Sequence, residues 1–379
     1  MKIKIENRLF YELLQKAYAI VPTKSSLQIL SNFKIKFKDN VLEVSATDLE
    51  QSIVVSHEAE GEGFCDITVN AKKIFEIIRE IQTGSIEISS DENVLIIESE
   101  NGFTCKIAGT DATVFPVFPV LEKEQRCIVP ISLLKTMVLK SSFAVAKEES
   151  RACLCGVFFE ADSEKISMVA TDGHRLGSCV YAYAQPIDSK ISAIISTKSL
   201  VHLIGIVKET EKEKNIEISL SDKYIIFKTE LIMLCSKLIE GTYPDYQKVV
   251  PKNNTKKAII NREMLLNAVR RVSVLSNQKT HLVKFSLENN SLEIAVMNKD
   301  IGGEAREKLP IEYNGEKLTI GFNSFYFNEI LNIIMQNNIR LEMNTQISAC
   351  LLFPEFEKDK QPVSTDTFLI MPLRIMEEI

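Results

Sequence analysis

The chain has 379 residues, 45% apolar and 25% charged, with a net charge of −6 at pH 7. That balance fills ordinary cores over two or three domains and excludes a disordered or low-complexity chain. The acid excess excludes a surface that is basic all over, while leaving room for a segregated basic face.

In chain order, MKIKIENRLF at the amino terminus has no apolar signal core. No apolar run approaches the roughly 20 residues of a membrane-spanning helix. A cytoplasmic chain with no membrane partner is therefore expected. RLFYELLQKAYAIV (8–21) puts Leu9, Leu13, Ala17 and Ile20 on one helical face. LEVSATD (42–48) alternates as a strand, NAKKIFEIIREI (70–81) reads as a second helix, and SIEISSDENVLIIES (85–99) reads as a hairpin. VFPVFP (114–119) closes the stretch.

The same order then returns. LLKTMVLKSSFAV (133–145), with Leu134, Val138 and Ser141 on one face, precedes ISMVATD (166–172). STKSLVHLIGIVK (196–208), NIEISLSDKYIIFKT (215–229) and TYPDYQKVVP (242–251) come next. A third pass runs through NREMLLNAVRRVSVL (261–275), LEIAVMN (292–298) and NSFYFNEILNIIM (323–335), and ends in LIMPLRI (369–375). The second and third ATD-like strands are offset from the first by 124 and 250 residues. This spacing predicts three tandem copies, 1–122, 123–252 and 253–379, each an α+β domain with two helices packed on antiparallel sheet.

The six predicted helices (8–24, 71–80, 134–147, 195–208, 261–271 and 324–335) carry net charges of +2, +1, +3, +2, +2 and −1. Basic rods in an acidic chain suit sequence-blind attraction to phosphate, with acid elsewhere keeping nucleic acid to one face. The eight cysteines are scattered, and Cys153 and Cys155 are the closest pair. No CxxC spacing occurs, so buried free thiols are expected, with no metal and no cofactor.

The stretch MVATDGHRLG (168–177) sets Asp172, Gly173, His174 and Arg175 in a row. Catalysis would need His174 to serve a substrate proton and Asp172 to orient it. Asp48 occupies the same place in the first copy without a histidine. A turn, with Asp172 accepting backbone N–H bonds, is the preferred reading. A metal-dependent nucleotidyl transferase built on Asp48, Asp172 and Asp300 is a rival, but these fall in separate copies. A protein-interaction scaffold that binds no DNA is another.

ATDLE (46–50), ATDGHRL (170–176), YPDYQKVVP (243–251), FNSFY (322–326) and the terminal MPLRI (371–375) together resemble the bacterial DNA polymerase sliding-clamp family over the whole chain. The resemblance implies a non-catalytic, ring-forming DNA-clamp fold. Two chains would close head to tail around duplex DNA, helices inward and sheets outward. A clamp loader, the DNA polymerase III alpha subunit and other proteins with clamp-binding motifs are the implied partners.

It also implies a groove for their peptides. The second copy would supply Leu154, Thr171, Gly173, His174, Arg175, Leu176, Pro244, Lys248 and Val249. Asn323, Tyr326, Ile347, Leu369, Ile370, Met371, Pro372, Leu373 and Arg374 would come from the third. In this reading His174 and Arg175 are polar anchors. The ring joint is expected at Phe103 and at Val274 and Leu275. Lys24 is a DNA contact by resemblance; Lys72, Lys73, Arg79, Lys135, Lys140, Lys147, Lys198, Arg270 and Arg271 are assigned by helix position. The chain departs from the family in its added MEEI (376–379) and in Thr280, where an aromatic is common.

Overall fold

The computed structural model describes residues 1–81, 84–119, 125–147, 149–183, 190–208, 214–299, 301–356 and 364–375. Six α-helices lie among them: α1 (Asn7–Tyr18), α2 (Ala71–Glu80), α3 (Ile131–Ser141), α4 (Thr197–Ile206), α5 (Arg262–Ser273) and α6 (Ser324–Ile333). Apart from the two-residue strands Gly61–Glu62 and Thr110–Asp111 of the first copy, each is preceded by one strand and followed by three, so a strand–helix–three-strand half-unit occurs six times. Within each copy the leading strand of one half joins the sheet of the other. Lys2–Glu6 pairs with Ser85–Asp91, and Cys65–Asn70 pairs with Asn32–Lys38, both antiparallel.

Local chemistry explains the boundaries. Asn70, Asn261 and Asn323 end strands and cap α2, α5 and α6 by accepting backbone N–H bonds. Asp39–Asn40 and Asn289–Asn290 have positive φ and turn equivalent hairpins in the first and third copies. In α1 the buried stripe is Phe10, Leu13, Leu14 and Ala17. Leu9, expected on that stripe, is only half-buried, because the face rotates by about one residue toward α2. There Phe75 stacks between Tyr11 at 5.1 Å and Tyr18 at 4.7 Å. In α3, Leu134, Val138 and Ser141 are buried as expected.

The chain divides into two compact units that do not respect the copy boundaries. One takes Met1–Lys135 and Lys198–Leu238; the other takes the described residues from Thr136 to Thr197 and from Ile239 onward. The middle copy is thus shared, because its two sheets are continuous with different neighbours. In the first unit, Gln51–Glu58 pairs antiparallel with Ile232–Lys237, with Gln51 opposite Ser236, making a nine-stranded sheet. In the second, Arg175–Ala182 pairs with Ser364–Ile370, with Arg175 opposite Ile370, making an eight-stranded sheet. The first unit also holds a five-stranded sheet ending at Thr104–Ala108, and the second a four-stranded sheet ending at Gly303–Pro310. Those two end strands are edges among the described residues.

None of the eight cysteines is in a disulfide. Cys65, Cys127, Cys179, Cys235 and Cys350 are buried, and burial pushes the thiols of Cys127, Cys179 and Cys235 up to about 12. Cys105, Cys153 and Cys155 are half-buried. Ellman's reagent at pH 8 is expected to titrate no more than these three quickly in native protein and all eight after denaturation.

Candidate partner-binding groove and basic helices

The turn after Thr171 is held twice over. The Asp172 Oδ1 accepts the N–H of His174 and of Arg175, both at 2.9 Å. Thr171 Oγ1 donates to the Arg175 carbonyl at 2.7 Å and accepts Gly173 N–H at 3.1 Å. Gly173 has φ +87°, where a side chain would be strained. The first copy repeats the pattern. Asp48 Oδ1 accepts Glu50 and Gln51 N–H at 3.0 and 2.7 Å. Thr47 Oγ1 donates to the Gln51 carbonyl at 2.8 Å and accepts Leu49 N–H at 3.1 Å, and Leu49 takes φ 73°. The ATD element is a turn in both copies, and Oδ1 of each aspartate is consumed by backbone.

Arg175 corrects the expectation of a free anchor. It is only 3% exposed, bonded through Nε to Asp172 Oδ2 at 3.1 Å and through Nη1 to Glu329 of α6. Its guanidinium lies 4.3 Å from the Tyr326 ring and 5.4 Å from that of Phe143. A buried cation needs such compensation. It ties the turn to α6 and sets Tyr326, whose ring stacks 6.5 Å from His174. His174 itself is exposed.

A cavity of about 460 Å³ opens here, lined by Val145, Ala146, Lys147, Arg151, Leu154, Asp172, His174, Arg175 and Tyr326. Its lining mixes charged and apolar side chains, and Leu154 links it to apolar core. Leu154, Ile194 and Tyr243 form one cluster, Val169, Leu176, Ala349, Leu351 and Leu369 another, and Tyr246 packs against both. Tyr243 Oη accepts the Thr171 N–H at 3.1 Å. Met371 N–H donates to the His174 carbonyl at 2.7 Å, bringing the carboxy-terminal segment to the turn.

Of the eighteen expected groove residues, several are support rather than surface. Leu154, Leu176, Leu369 and Ile370 are 4%, 1%, 3% and 0% exposed. Leu369 and Ile370 fall on opposite faces of Ser364–Ile370 and enter two different cores, Leu176 joins Leu369, and Leu154 packs with Ile194 and Tyr243. Asn323 caps α6, Thr171 is spent in the turn, and Leu373 N–H bonds Gly321 O at 2.8 Å. Gly173, Pro244, Lys248, Val249, Ile347, Met371 and Arg374 are exposed, and Pro372 is half-buried. Val145, Ala146 and Arg151 were not expected; Val145 ends the repeated stretch 133–145, and Ala146 and Arg151 follow it before the ATD strand. Thr280 is exposed, and MEEI lies outside the described residues.

The basic candidates divide similarly. Lys140 Nζ bonds Asp366 at 2.6 Å and Tyr181 Oη at 2.8 Å. Burial works against its charge, but these bonds outweigh it and raise its pKa above the ordinary lysine value. It is an internal staple, not a free surface cation. Lys147 lies beyond the end of α3 and lines the cavity instead of a helix face. Lys198 reaches Asp48 at 2.6 Å, Arg271 pairs with Glu307 at 2.6 Å, and Lys72 and Arg79 pair with neighbours on α2. Arg270 bonds Asn332 at 2.9 Å. Lys24, Lys73 and Lys135 have no carboxylate partner among the described residues. At the expected joint, Phe103 is 43% and Val274 79% exposed, and Leu275 packs on the core of the third copy.

Among the described residues no three His, Cys, Asp or Glu side chains form a metal-binding group, and no helix is long and apolar enough to cross a membrane. The structural role of the turn has a measurable cost. Asp172→Ala strands two N–H groups and removes one partner of a buried guanidinium, so urea unfolding should register a loss of about 3 kcal/mol. Asp172→Asn, which keeps an acceptor oxygen, should lose less.

Comparison with known proteins accounts for the whole arrangement. Profiles of the DNA polymerase III beta subunit match in three pieces: the N-terminal domain over 1–119, the central domain over 128–245 and the C-terminal domain over 247–368. The beta sliding clamp of Haemophilus influenzae is 29% identical over 381 residues, covering 99% of this chain and 100% of that one. The Pseudomonas aeruginosa polymerase III subunit beta structure matches with TM-score 0.90 at 27% identity, over 99% and 100% of the two chains. A sliding clamp from Bartonella birtlesii, bound to griselimycin, matches with TM-score 0.91 at 30% identity over the same shares. The chain belongs to the DNA polymerase III beta subunit family, and its α+β fold is that of three tandem clamp domains.

Proposed function

We propose that two copies of this chain close head to tail into a ring around duplex DNA and tether the replicative polymerase, as a non-catalytic processivity factor. The observation that carries this reading is the pair of unpaired edges, Thr104–Ala108 and Gly303–Pro310. Every other three-strand set of this type continues into the next copy across a seam. Superposing the half-units gives the register of the missing seam. Gln51 opposite Ser236 and Arg175 opposite Ile370 become Gly303 opposite Ile107. Cys105 then faces Ala305 with both side chains inward, and Lys106 faces Glu304 with both outward, in agreement with their burial. A heterologous contact of this kind closes into a ring when the rotation permits.

Three domains spanning 1–122, 123–252 and 253–379 in each of two chains would carry the helices to the inner wall. Lys24, Lys73, Lys135 and Arg270 are the cations best able to meet phosphate, and their contacts are sequence-independent and salt-sensitive. The 460 Å³ cavity lined by Val145, Leu154, His174 and Tyr326 would take residues of peptides from the polymerase alpha subunit, the clamp loader and other partners. The rival metal-dependent chemistry finds no support, because Asp48 and Asp172 are both occupied by turn hydrogen bonds.

In the equivalent first seam, Lys237 N–H donates to Glu50 O and Ser56 N–H to Leu231 O, so the residue facing Leu234 is in a non-hydrogen-bonded pair. Cys105 and Ala305 inherit that geometry, with Cα atoms about 4.5 Å apart, inside disulfide range. Ala305→Cys should therefore oxidise onto the native Cys105 of a second copy and give a covalent dimer. Loaded on circular plasmid before oxidation, it should remain bound in high salt and slide off once the plasmid is linearised. Equal loss from circular and linear DNA would contradict encirclement.

A further inference from the structure

Resting on the ring reading, we infer that the seam between copies lacks the strand-head side-chain bond that both internal seams form, and that Gly303 is the position responsible. Three sets of equivalent positions carry this.

The first is the head of the seam strand. In the first unit Gln51, first residue of its strand, accepts through Oε1 from His202 Nδ1 at 2.9 Å, and His202 is the sixth residue of α4. In the second unit Arg175, again first in its strand, bonds Glu329, the sixth residue of α6. In the seam between copies the strand head is Gly303, and the sixth residue of α2 is Glu76. Glu76 is half-exposed and has Lys72 at 3.9 Å, so a carboxylate is present without a side chain to meet it.

The second is the residue before the strand head. Glu50 bonds Lys237 across the first seam at 2.9 Å. The corresponding residues between copies are Gly302 and Ala108, neither with a polar side chain. The third is the tenth residue of the helix. Lys140 on α3 crosses the second seam to Asp366 at 2.6 Å. Arg271, its equivalent on α5, bonds Glu307 on the edge strand of its own copy, and the residue facing Glu307 in the derived register is Phe103. The ion pair that would span the seam is closed on one side of it. The inference concerns the strand head, its predecessor and the helix cation.

Besides backbone pairing and the exposed Lys106–Glu304 pair of the derived register, the copies meet through the apolar side chains of Phe103, Val274, Met297 and Ile301, which are 43%, 79%, 70% and 62% exposed. The strand-head bond of both internal seams is missing from this one.

The staple can be installed. Gly303 lies outside the left-handed region, and an added Cβ would meet only Ile301 Cδ1 at 3.3 Å and Leu275 Cδ1 at 3.5 Å, both flexible tips. Subunit exchange between differently labelled full-length rings, followed by energy transfer, is the test. Gly303→Arg should slow exchange about tenfold or more, the worth of one charge-assisted bond. Adding Glu76→Ala should return it to the wild-type rate. Glu76→Ala alone should leave exchange unchanged, an arm that does not depend on the arginine being accommodated. Gly303→Arg exchanging at or above the wild-type rate with unchanged melting temperature would overturn the inference, and so would faster exchange in Glu76→Ala alone. A wild-type chain that stays monomeric at micromolar concentration would overturn the ring reading itself, and the inference with it.

Discussion

An unpaired strand edge exposes a row of backbone donors and acceptors, and folded proteins must cover, blunt or pair it. This chain pairs four of its six seam-forming edges internally, by running Gln51–Glu58 into Ile232–Lys237 and Arg175–Ala182 into Ser364–Ile370. The remaining two lie at opposite ends of the sequence. Among the described residues no strand pairs with the outer side of Thr104–Ala108 or of Gly303–Pro310. A triplicated fold with one open edge at each end is under constraint to find another copy. Two-fold closure satisfies every edge, whereas open addition would leave one at each end of a filament.

The turn at Thr-Asp shows how triplication yields function without new chemistry. The same bonds form in the first and second copies, yet the residues after the aspartate differ. In the first copy the strand head is Gln51, bonded to His202. In the second it is Arg175, stacked on Tyr326 and fixed by two carboxylates, with a cavity left beside it. The proposed groove is therefore a variation on a seam, beside a buried guanidinium that holds the turn and Tyr326 in place.

Much of this fold is legible in the sequence. Helix faces, capping asparagines and the near-regular 124-residue offset obey local rules that do not need tertiary context. The turn role of Asp172 is legible because Asp48 repeats it without His174. The features that escape are decided by long-range pairing. Leu369 and Ile370 read as groove because the terminal motif is exposed at Met371, but pairing with Arg175–Ala182 turns both into core. Lys140 reads as one more helix cation, since Asp366 is 226 residues away in sequence. Arg175 reads as an anchor because its partner Glu329 belongs to the next copy. The exchange of leading strands, and hence the sharing of the middle copy between two compact units, has no signature in hydrophobic periodicity.

The central claim is closure of the two open edges on each other with the helices facing inward. Electron cryomicroscopy of the protein in solution tests it directly. The account predicts a closed two-copy ring with strands 104–108 and 303–310 in one sheet at each junction and α1 to α6 around the central opening. Particles that are single chains or open-ended chains of copies, or rings with Lys24, Lys73 and Arg270 on the outer rim, would contradict it.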